Sequence, residues 1–404
     1  MIDFSQYPKL ELIRTPLPML QIISAGGVRF STLIELWGSN KAGKSTTCYQ
    51  TAGYFLNDFG DNARVKILDS ETSVDYIRLI EFGLDTINDP RIEIKQAVFI
   101  EDGMFKIFKW IDGMQENERL MIIWDTIAAS PSRSSYESAD DASSVADMKM
   151  FSGGMIDRPK VIKHYLRQAM SKIYGKKVTI WLPNQVFTSP NQYGAASIIS
   201  GEGNALKHDL HYSLFFYRSE KEVTHDDTNL VSFTQSSYKL TKSKFCPEFK
   251  ATPLFLNNTL GGLIDERRSL FEHCKDVGYI IQSGGYFKLH EEDKNQRWDS
   301  LVSSDVAYKF LLNKLVTSVR RSFPTIDRAY LIQGYSPLET TEEKKKPTES
   351  TLNFDDCLKM TLAGSPTSDE ETRVEDLEKK IENLEKEQKT QKKLSLKEKK
   401  GVTD

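Results

Sequence analysis

The sequence has few cysteines, little excess charge and no long apolar run, and each shortage excludes a class of protein. Its four cysteines lie far apart, at Cys48, Cys246, Cys274 and Cys357. They form no CxxC pair and have no histidine at zinc-ligand spacing, so we expect reduced thiols in an intracellular protein. The net charge of −3 excludes a histone-like basic protein, although a local basic groove can lie on an acidic body.

No apolar run approaches the ~20 residues that a membrane-spanning helix needs. Met1 is followed by Ile-Asp-Phe-Ser, which is not a signal peptide. We therefore expect a soluble protein with no membrane partner. The hydrophobic fraction of 39% is nevertheless enough for a sizeable core in a chain of 404 residues.

Between residues 29 and 261, apolar runs alternate with amphipathic stretches. The predicted strands of this region are 33–37, 65–69, 120–125 and 178–183, and the predicted helices are a stretch from about 44, 73–82, 104–114 and about 159–174. Residues 92–94 and 97–100 predict a short edge strand or a hairpin. Later runs, more antiparallel in character, are 211–217, 230–235 and 237–242. Strands that alternate with helices predict an α/β fold with a mostly parallel, twisted sheet flanked by helices.

Three further segments flank this region. Residues 1–28 contain three prolines and predict a short extended lead-in. Residues 262–335 predict a small α+β lobe with a hairpin turn at Gly284-Gly285. Residues 336–404 are rich in Pro, Ser, Thr, Glu and Lys and predict a disordered, charged tail. Within this tail the apolar spacing at 374–387 favours a solvated, partly helical segment, and a partner-binding helix is the alternative.

One motif indicates a specific chemistry. Residues 38–46 fit the pattern GxxxxGK[ST] and lie between a predicted strand and a predicted helix, as a phosphate-binding P-loop requires. Such a loop surrounds a phosphate with backbone N–H groups, and the helix N-terminus adds a positive partial charge. Lys44 then reaches the β- and γ-phosphates of ATP, and the Ser45 hydroxyl binds Mg²⁺. The predicted nucleotide-binding residues are Gly38, Ser39, Asn40, Lys41, Ala42, Gly43, Lys44, Ser45 and Thr46.

Two acidic residues end predicted strands at the edge where ligands of open α/β sheets bind. Asp125 ends the apolar strand 120–125 and is predicted to hold Mg²⁺, with an ordinary strand-terminating aspartate as the alternative. Glu71 follows the strand 65–69 and is predicted to orient or deprotonate the attacking water. Asp69 competes for that role, and an acid that stabilises a helix N-terminus is a further alternative for Glu71.

The order of the motifs is more discriminating than any one of them. After the P-loop come Leu-Asp-Ser-Glu at 68–71, Ile-Ile-Trp-Asp-Thr-Ile-Ala-Ala at 122–129, Pro-Asn-Gln at 183–185 and Gly-Asn-Ala-Leu-Lys at 203–207. In this order the strings resemble the RecA family, and among its members the UvsX-type recombinases of large tailed bacteriophages. The likeness covers about residues 14–335. It implies a RecA-like ATPase core at 29–261 followed by the small lobe.

The resemblance implies roles for five residues around the nucleotide. Glu71 matches the family's catalytic glutamate, and Asp125 matches its Mg²⁺-coordinating aspartate. Gln185 matches the glutamine that senses the γ-phosphate and passes its presence to a DNA-binding loop, although Asn-Gln alone is also typical of a turn. Lys242 and Lys244 match a lysine pair that reaches across the subunit interface to the neighbour's ATP, whereas Lys-x-Lys alone at a strand end is usually a solvated pair.

The same resemblance implies two DNA-binding loops, near 132–157 and 186–203. The candidate phosphate contacts are Arg133, Lys149 and Arg158, and the candidate apolar wedges between bases are Phe187, Ile198 and Ile199. The second loop lacks the basic residue that the family usually has there, and ordinary flexible connections are the alternative. Arg78 is a further departure, because the family usually has an adenine-stacking aromatic residue at this position. Either Arg78 or Tyr76 can take that place.

The resemblance implies a DNA-dependent ATPase of DNA recombination and repair. We expect it to use ATP and Mg²⁺, to form a helical filament on single-stranded DNA, and to promote homologous pairing and strand exchange with duplex DNA. Residues 1–28 would dock on the next subunit, and the tail would bind a mediator or a single-strand DNA-binding protein. The alternatives are a RecA-like ring helicase or loader, and a nucleotide-gated interaction protein with little catalysis. The expected location is the cytoplasm, that of a bacterial host if a phage encodes the chain.

Overall fold

A computed structural model describes residues 6–133, 154–190, 196–200, 208–224, 230–289 and 293–335. These residues belong to one compact unit, Met1–Leu352, and the second unit is Asn353–Asp404. The tail predicted at 336–404 lies outside the described residues. None of the described helices combines the length and the apolar character that crossing a bilayer requires.

The N-terminal segment folds against the rest of its unit, so the prediction of an extended lead-in at 1–28 is wrong for the described part. The elements of this segment are strand β1 (Leu12–Ile13), helix α1 (Pro18–Ile23) and strand β2 (Val28–Arg29). β1 pairs antiparallel with β2. Pro18 stands in the first turn of α1, where its missing N–H is not needed. Leu20 is fully buried, and the Tyr330 hydroxyl donates to the Ile22 carbonyl oxygen over 2.8 Å.

Five parallel strands form the half of the main sheet that contains the predicted ATP site. They are β3 (Thr32–Gly38), β4 (Ala63–Asp69), β5 (Ile92–Gln96), β6 (Arg119–Asp125) and β7 (Val178–Asn184). Their order is β3-β7-β6-β4-β5, all parallel. The near-continuous apolar runs of these strands are explained by burial on both faces. The predicted strands are confirmed, and the edge strand at 92–94 is β5, whereas residues 97–100 lead into a helix.

Helices cover both faces of this half. They are α2 (Lys44–Phe59), α3 (Tyr76–Glu81), α4 (Ile100–Asp112) and α5 (Gly154–Ile173). α4 and α5 pack on one face through a core that includes Ile107, Leu166 and Trp124. α2 contacts β4, β6 and β7. Its buried side chains do not belong to the core between α4 and α5, so α2 lies on the other face. α5 begins at Gly154, whereas the sequence predicted a start at about 159. Pro159 lies inside the helix, although a proline there removes one backbone hydrogen bond.

The predicted second DNA-binding loop contains a β-hairpin. Strand β8 (Val186–Pro190) pairs antiparallel with strand β9 (Ala196–Ser200). The β-branched and aromatic residues of β8 and β9 favour extended backbone. The Ser, Pro and Asn residues of this stretch are typical of loops, so the two strands were not predicted. Residues 191–195 and 201–207 lie outside the described residues, as do residues 134–153 of the predicted first loop.

The second half of the main sheet is antiparallel. It consists of β10 (Tyr212–Thr224), β11 (Val231–Ser243), β12 (Phe249–Asn257) and β13 (Leu263–Ile264). β10 joins the two halves, because it is parallel to β3 and antiparallel to β11. The runs predicted at 230–235 and 237–242 are one continuous strand, and β12 was not predicted, since Pro253 interrupts its pattern. Within the described residues the sheet has nine strands, ordered β13-β12-β11-β10-β3-β7-β6-β4-β5.

The last described elements are four helices and one β-hairpin, and a separate lobe at 262–335 stays a prediction. They are α6 (Glu266–Asp276), β14 (Ile281–Ser283), β15 (Tyr286–Lys288), α7 (Trp298–Ser303), α8 (Asp305–Ser322) and α9 (Pro324–Ile332). The hairpin at Gly284-Gly285 is confirmed, because it joins β14 to β15. α6 packs on β12, and α1 contacts both α6 and α8. The described part of the chain thus has the expected α/β fold, a mostly parallel central sheet flanked by helices.

Candidate nucleotide-binding site

The loop between β3 and α2 has a backbone that depends on glycine. Gly38 has a φ of 144°, and a Cβ atom there would lie 1.8 Å from the carbonyl oxygen of Phe216 in β10. Any side chain at this position would push β10 away from β3. Gly43 has a φ of 97° and lies next to Leu254 and Leu256 of β12. Two of the three positive φ values in the loop therefore fall on glycines, and the third falls on Lys41.

The N-terminus of α2 is arranged to bind an anion. Its N-cap residue is Gly43, which has no side chain to accept from the first backbone N–H groups, and its first turn contains no acidic residue. These N–H groups therefore need another acceptor. Their partial positive charge favours a phosphate. The residues of this loop thus fit a nucleotide triphosphate.

Lys44 lies across the loop. Its Nζ atom donates to the carbonyl oxygens of Gly38 over 2.9 Å and of Ser39 over 2.7 Å. Burial lowers the pKa of Lys44, while the negative charges of Asp125 and Glu71 act in the opposite direction. The ammonium is therefore held among the predicted catalytic acids, within reach of a phosphate that the loop binds.

Asp125 ends β6 beside the start of α2. The Tyr49 hydroxyl donates to its Oδ2 atom over 2.8 Å, and Ser45 also hydrogen-bonds its carboxylate. Burial raises the pKa of Asp125, and these two hydrogen bonds oppose that shift. Within the described residues, no three His, Cys, Asp or Glu side chains cluster as a metal cage. Mg²⁺ at a nucleotide needs only one or two protein oxygens besides water and phosphate, and Ser45 with Asp125 fits that donor set.

Asp69 and Glu71 differ in what they bind. The Asp69 carboxylate accepts from the backbone N–H groups of Glu71 over 3.2 Å, Ser73 over 3.3 Å and Val74 over 3.3 Å. It therefore fixes the turn after β4. Glu71 projects from that turn, and its Oε1 atom accepts from Gln185 Nε2 over 2.8 Å. The Asp69 carboxylate thus accepts from backbone groups of its own turn, whereas Glu71 accepts from the side chain of another predicted site residue.

Gln185 lies at the corner between β7 and β8. The backbone N–H of Gln185 donates to Asn184 Oδ1 over 3.0 Å, and Asn184 Nδ2 donates to Glu35 Oε1 over 3.1 Å. Asn184 and Glu35 are buried, with 0% and 1% of their surface exposed. The structure thus brings Lys44, Ser45, Asp125, Glu71 and Gln185 together at the carboxyl ends of the parallel strands.

Lys242 and Lys244 lie at the carboxyl end of β11, beside the start of β10. In the strand register, Phe216 of β10 pairs with Gly38 and Tyr238, whereas Ser213 pairs with Lys242. Lys242 is four residues beyond Tyr238, so it lies about 13 Å along β11 from the level of the P-loop. Burial and Lys244 lower the pKa of Lys242, which donates to the His208 carbonyl oxygen over 3.2 Å. Neither lysine is brought to the ATP site of its own chain.

Arg78 contacts the P-loop helix. Its Nη2 atom donates to Thr46 Oγ1 over 3.0 Å, and its Nε atom donates to the Gly261 carbonyl oxygen over 2.8 Å. The guanidinium also lies 5.5 Å from the ring centroid of Phe82. Tyr76, the alternative base-stacking residue, is 54% exposed.

The predicted DNA contacts are described only in part. The backbone N–H of Arg133 donates to Glu101 over 2.9 Å, and its guanidinium lies 4.4 Å from the Phe99 ring centroid. Lys149 lies outside the described residues. Arg158 belongs to α5, Phe187 pairs with Ile199 and Thr188 pairs with Ile198 in the hairpin, but the side chains of these residues lie outside the description.

The site also contains residues that the sequence analysis missed, namely Tyr49, Asn184 as a hydrogen-bonding residue, and Glu35. The sequence contained a signal for Tyr49 and for Glu35. Tyr49 follows Ser45 by four residues and shares its helix face, and Glu35 is a charged residue within the apolar run of β3. A carboxylate in a strand that is buried on both faces indicates a polar partner nearby.

No protein-family model matches the chain. The chain is similar to the protein RecA of Malacoplasma penetrans (strain HF-2), with 26% identity over 286 residues that cover 70% of this chain and 78% of the relative. At this identity the relative is a distant homologue, and the similarity supports the RecA family.

Proposed function

We propose that this protein is an ATP-dependent recombinase similar to the UvsX-type proteins of large tailed bacteriophages. It would assemble as a helical filament on single-stranded DNA and promote homologous pairing and strand exchange. The observation that carries the proposal is the convergence of Lys44, Asp125, Glu71 and Gln185 at one edge of the sheet. The similarity to a RecA protein supports it. We assign the ATPase core to 29–261 and the accessory lobe to 262–335.

In this proposal the chain's own residues bind and orient the triphosphate. Lys44 and the N–H groups at the start of α2 bind the phosphates, and Ser45 with Asp125 would hold Mg²⁺ there. The metal supplies charge neutralisation at the transferring phosphoryl group. Glu71 orients the attacking water and accepts its proton. Catalysis then comes from positioning and from preorganised charge.

Gln185 connects this chemistry to DNA. Its Nε2 atom donates to Glu71 over 2.8 Å, and β8 of the hairpin begins at the next residue. A γ-phosphate oxygen that accepts from Gln185 instead would release Glu71 for water and displace the hairpin. Phosphate contacts from Arg133, Lys149 and Arg158, and apolar wedges from Phe187, Ile198 and Ile199, complete the proposed DNA interface.

Lys242 and Lys244 act in trans in this proposal. Lys242 lies about 13 Å along β11 from the level of its own P-loop. The ATP site that the two lysines would reach is therefore that of a head-to-tail neighbour. Two cations there would stabilise transition-state charge as an arginine finger does. ATP hydrolysis would then depend on assembly.

The test compares ATP turnover with and without single-stranded DNA, combined with negative-stain imaging on DNA and a non-hydrolysable ATP analogue. We expect DNA-stimulated turnover and helical filaments. Lys44→Ala should abolish turnover, and Asn57→Ala, an exposed substitution on the same helix, should leave it unchanged. Closed rings would favour the helicase or loader instead. Turnover that DNA does not stimulate would contradict the recombinase proposal.

A further inference from the structure

A buried polar layer crosses four strands beneath the ATP site. Glu35 of β3 lies at its centre, where its Oε1 atom accepts from Asn184 of β7 and its Oε2 atom accepts from Ser213 of β10 over 3.1 Å. Ser213 also accepts from Trp37 Nε1 over 3.0 Å and from Thr241 of β11 over 3.2 Å. Glu35, Asn184 and Ser213 are buried, and Trp37 and Thr241 are half-buried.

The layer is continuous with the predicted catalytic residues. From Glu71, hydrogen bonds run to the side chain of Gln185, from the backbone N–H of Gln185 to Asn184, and from Asn184 to Glu35. Glu35 therefore lies two residues from Gln185 along this path. Its side chain is 1% exposed, so it cannot contact a nucleotide, DNA or a neighbouring subunit directly.

A carboxylate in this place is costly for folding. Burying a charged or polar group carries a free-energy penalty that its hydrogen bonds at best offset. A protein with apolar residues of similar volume in such a place is often equally stable or more stable. The arrangement is better explained by orientation. Asn184 has one amide group, and because Glu35 takes its Nδ2 end, its Oδ1 end is directed at the backbone N–H of Gln185.

We infer that Glu35 is a positioning residue for the γ-phosphate sensor. It fixes the amide orientation of Asn184, Asn184 fixes the β7–β8 corner, and the corner holds the Gln185 side chain on Glu71. Loss of that orientation would let the corner adopt several conformations, and Gln185 would couple ATP to DNA less efficiently. This inference rests on the proposed function of Gln185.

A double-mutant cycle tests the inference. Glu35→Gln keeps the shape of the side chain but places an N–H₂ group against the donors of Asn184 or Ser213. We expect it to lower DNA-stimulated turnover about tenfold or more, with little change in the affinity for a fluorescent ADP analogue. In a Gln185→Ala background the same substitution should have no further effect on turnover, because the residue through which it acts is gone.

Thr241→Val is the matched control, since Thr241 belongs to the same layer but contacts Ser213 rather than Glu35. It should keep DNA-stimulated turnover within about twofold of the wild type, and thermal unfolding of each variant measures the purely structural cost. If Glu35→Gln does not fold, Ser213→Ala removes one of the donors to Glu35 and should show a smaller loss that also vanishes in the Gln185→Ala background.

Two outcomes would overturn parts of this scheme separately. An equal fold-loss from Glu35→Gln in the wild-type background and in the Gln185→Ala background would show that Glu35 is only structural, and the recombinase proposal would stand. A wild-type protein whose turnover does not respond to single-stranded DNA would contradict the proposed function itself.

Discussion

Tyr49 shows how one side chain can prepare a metal ligand. It follows Ser45 by four residues on α2, so both hydroxyls point from one helix face to the same carboxylate, that of Asp125. The burial of Tyr49 and the negative charge of Asp125 beside it both raise the pKa of its phenol, so the hydroxyl remains a donor at neutral pH. Tyr49 can therefore hold the Oδ2 atom of Asp125 and leave the other oxygen to bind Mg²⁺.

Tyr49→Phe should weaken the effect of Mg²⁺ on nucleotide binding. Carboxylates that ligate metals are themselves oriented by hydrogen bonds, and losing such a partner costs about tenfold or more in metal affinity. We expect the Mg²⁺ concentration that half-maximally tightens binding of a fluorescent ATP analogue to rise about tenfold. The nucleotide affinity without Mg²⁺ should stay unchanged.

Tyr54→Phe is the control for that measurement. Tyr54 lies on the same helix, and its hydroxyl donates to Glu266 of α6 rather than to Asp125. Tyr49→Phe removes the hydrogen bond to Asp125 and should cost about 1 kcal/mol of unfolding free energy. Tyr54→Phe also removes the bond that its hydroxyl accepts from Gln50 over 2.8 Å, so it should cost about 2 kcal/mol. An identical Mg²⁺ response in the two variants would show that Tyr49 does not orient Asp125.

At the scale of elements, the sequence predicted what depends on local pattern. Strand β6 is a continuous apolar run, and the P-loop between β3 and α2 has a fixed spacing that also predicts where α2 begins. β12 was missed because Pro253 interrupts its run, and α1 was missed because it has only six residues. Contacts distant in sequence hold such elements in place, as when the backbone N–H of Met19 in α1 donates to the Tyr238 hydroxyl of β11.

The same distinction applies within the site. Lys44, Ser45, Asp125 and Glu71 follow from motif and strand position, because parallel strands end at one edge. The contact between Glu71 and Gln185 depends on the order of strands β7, β6 and β4 in the sheet. That order is set by packing over long sequence separations, which local pattern does not encode.

Helix α2 also depends on one close approach. A Cβ atom at Gly53 would lie 1.8 Å from the carbonyl oxygen of Phe82, so α2 and the end of α3 touch through backbone. Helix propensity alone predicts that Gly53→Ala stabilises the protein by about 1 kcal/mol. We expect the opposite, a loss of about 1–3 kcal/mol, because a backbone carbonyl cannot move aside without separating the helices.

Urea denaturation measures this difference. Asn57→Ala, at an exposed position of the same helix, gains helix propensity but loses the hydrogen bond of Asn57 to Asp58, so we expect a change below about 0.5 kcal/mol and no clash. Gly53→Ala should also weaken nucleotide binding, since Arg78 of α3 contacts Thr46 of α2 across that junction. A stabilised Gly53→Ala variant would mean that the helices are not in close contact.

At the scale of the whole molecule, the two sets of predicted catalytic residues lie at different levels of one sheet. The P-loop, Asp125 and Glu71 lie at the carboxyl ends of the parallel strands, while Lys242 pairs with Ser213, which is level with Glu35 in the middle of β3. In the proposed function, one chain would therefore contribute its P-loop to one interface and its lysine pair to the next. Head-to-tail contacts between such chains generate a ring or an open helix, with a complete site at every interface.

Mixing two inactive variants tests this arrangement. Lys44→Ala removes the phosphate-binding lysine and Lys242→Ala removes a lysine of the neighbour, so each protein alone should lack turnover while melting like the wild type. In a mixture with single-stranded DNA, some interfaces combine an intact P-loop with an intact Lys242. With equal amounts and random head-to-tail order these are about a quarter of all interfaces, so we expect about a quarter of wild-type turnover. A Lys44→Ala protein mixed with the Lys44→Ala, Lys242→Ala double variant should stay inactive. If the first mixture also stayed inactive although both variants enter the same filaments, Lys242 would not act on the neighbour's ATP.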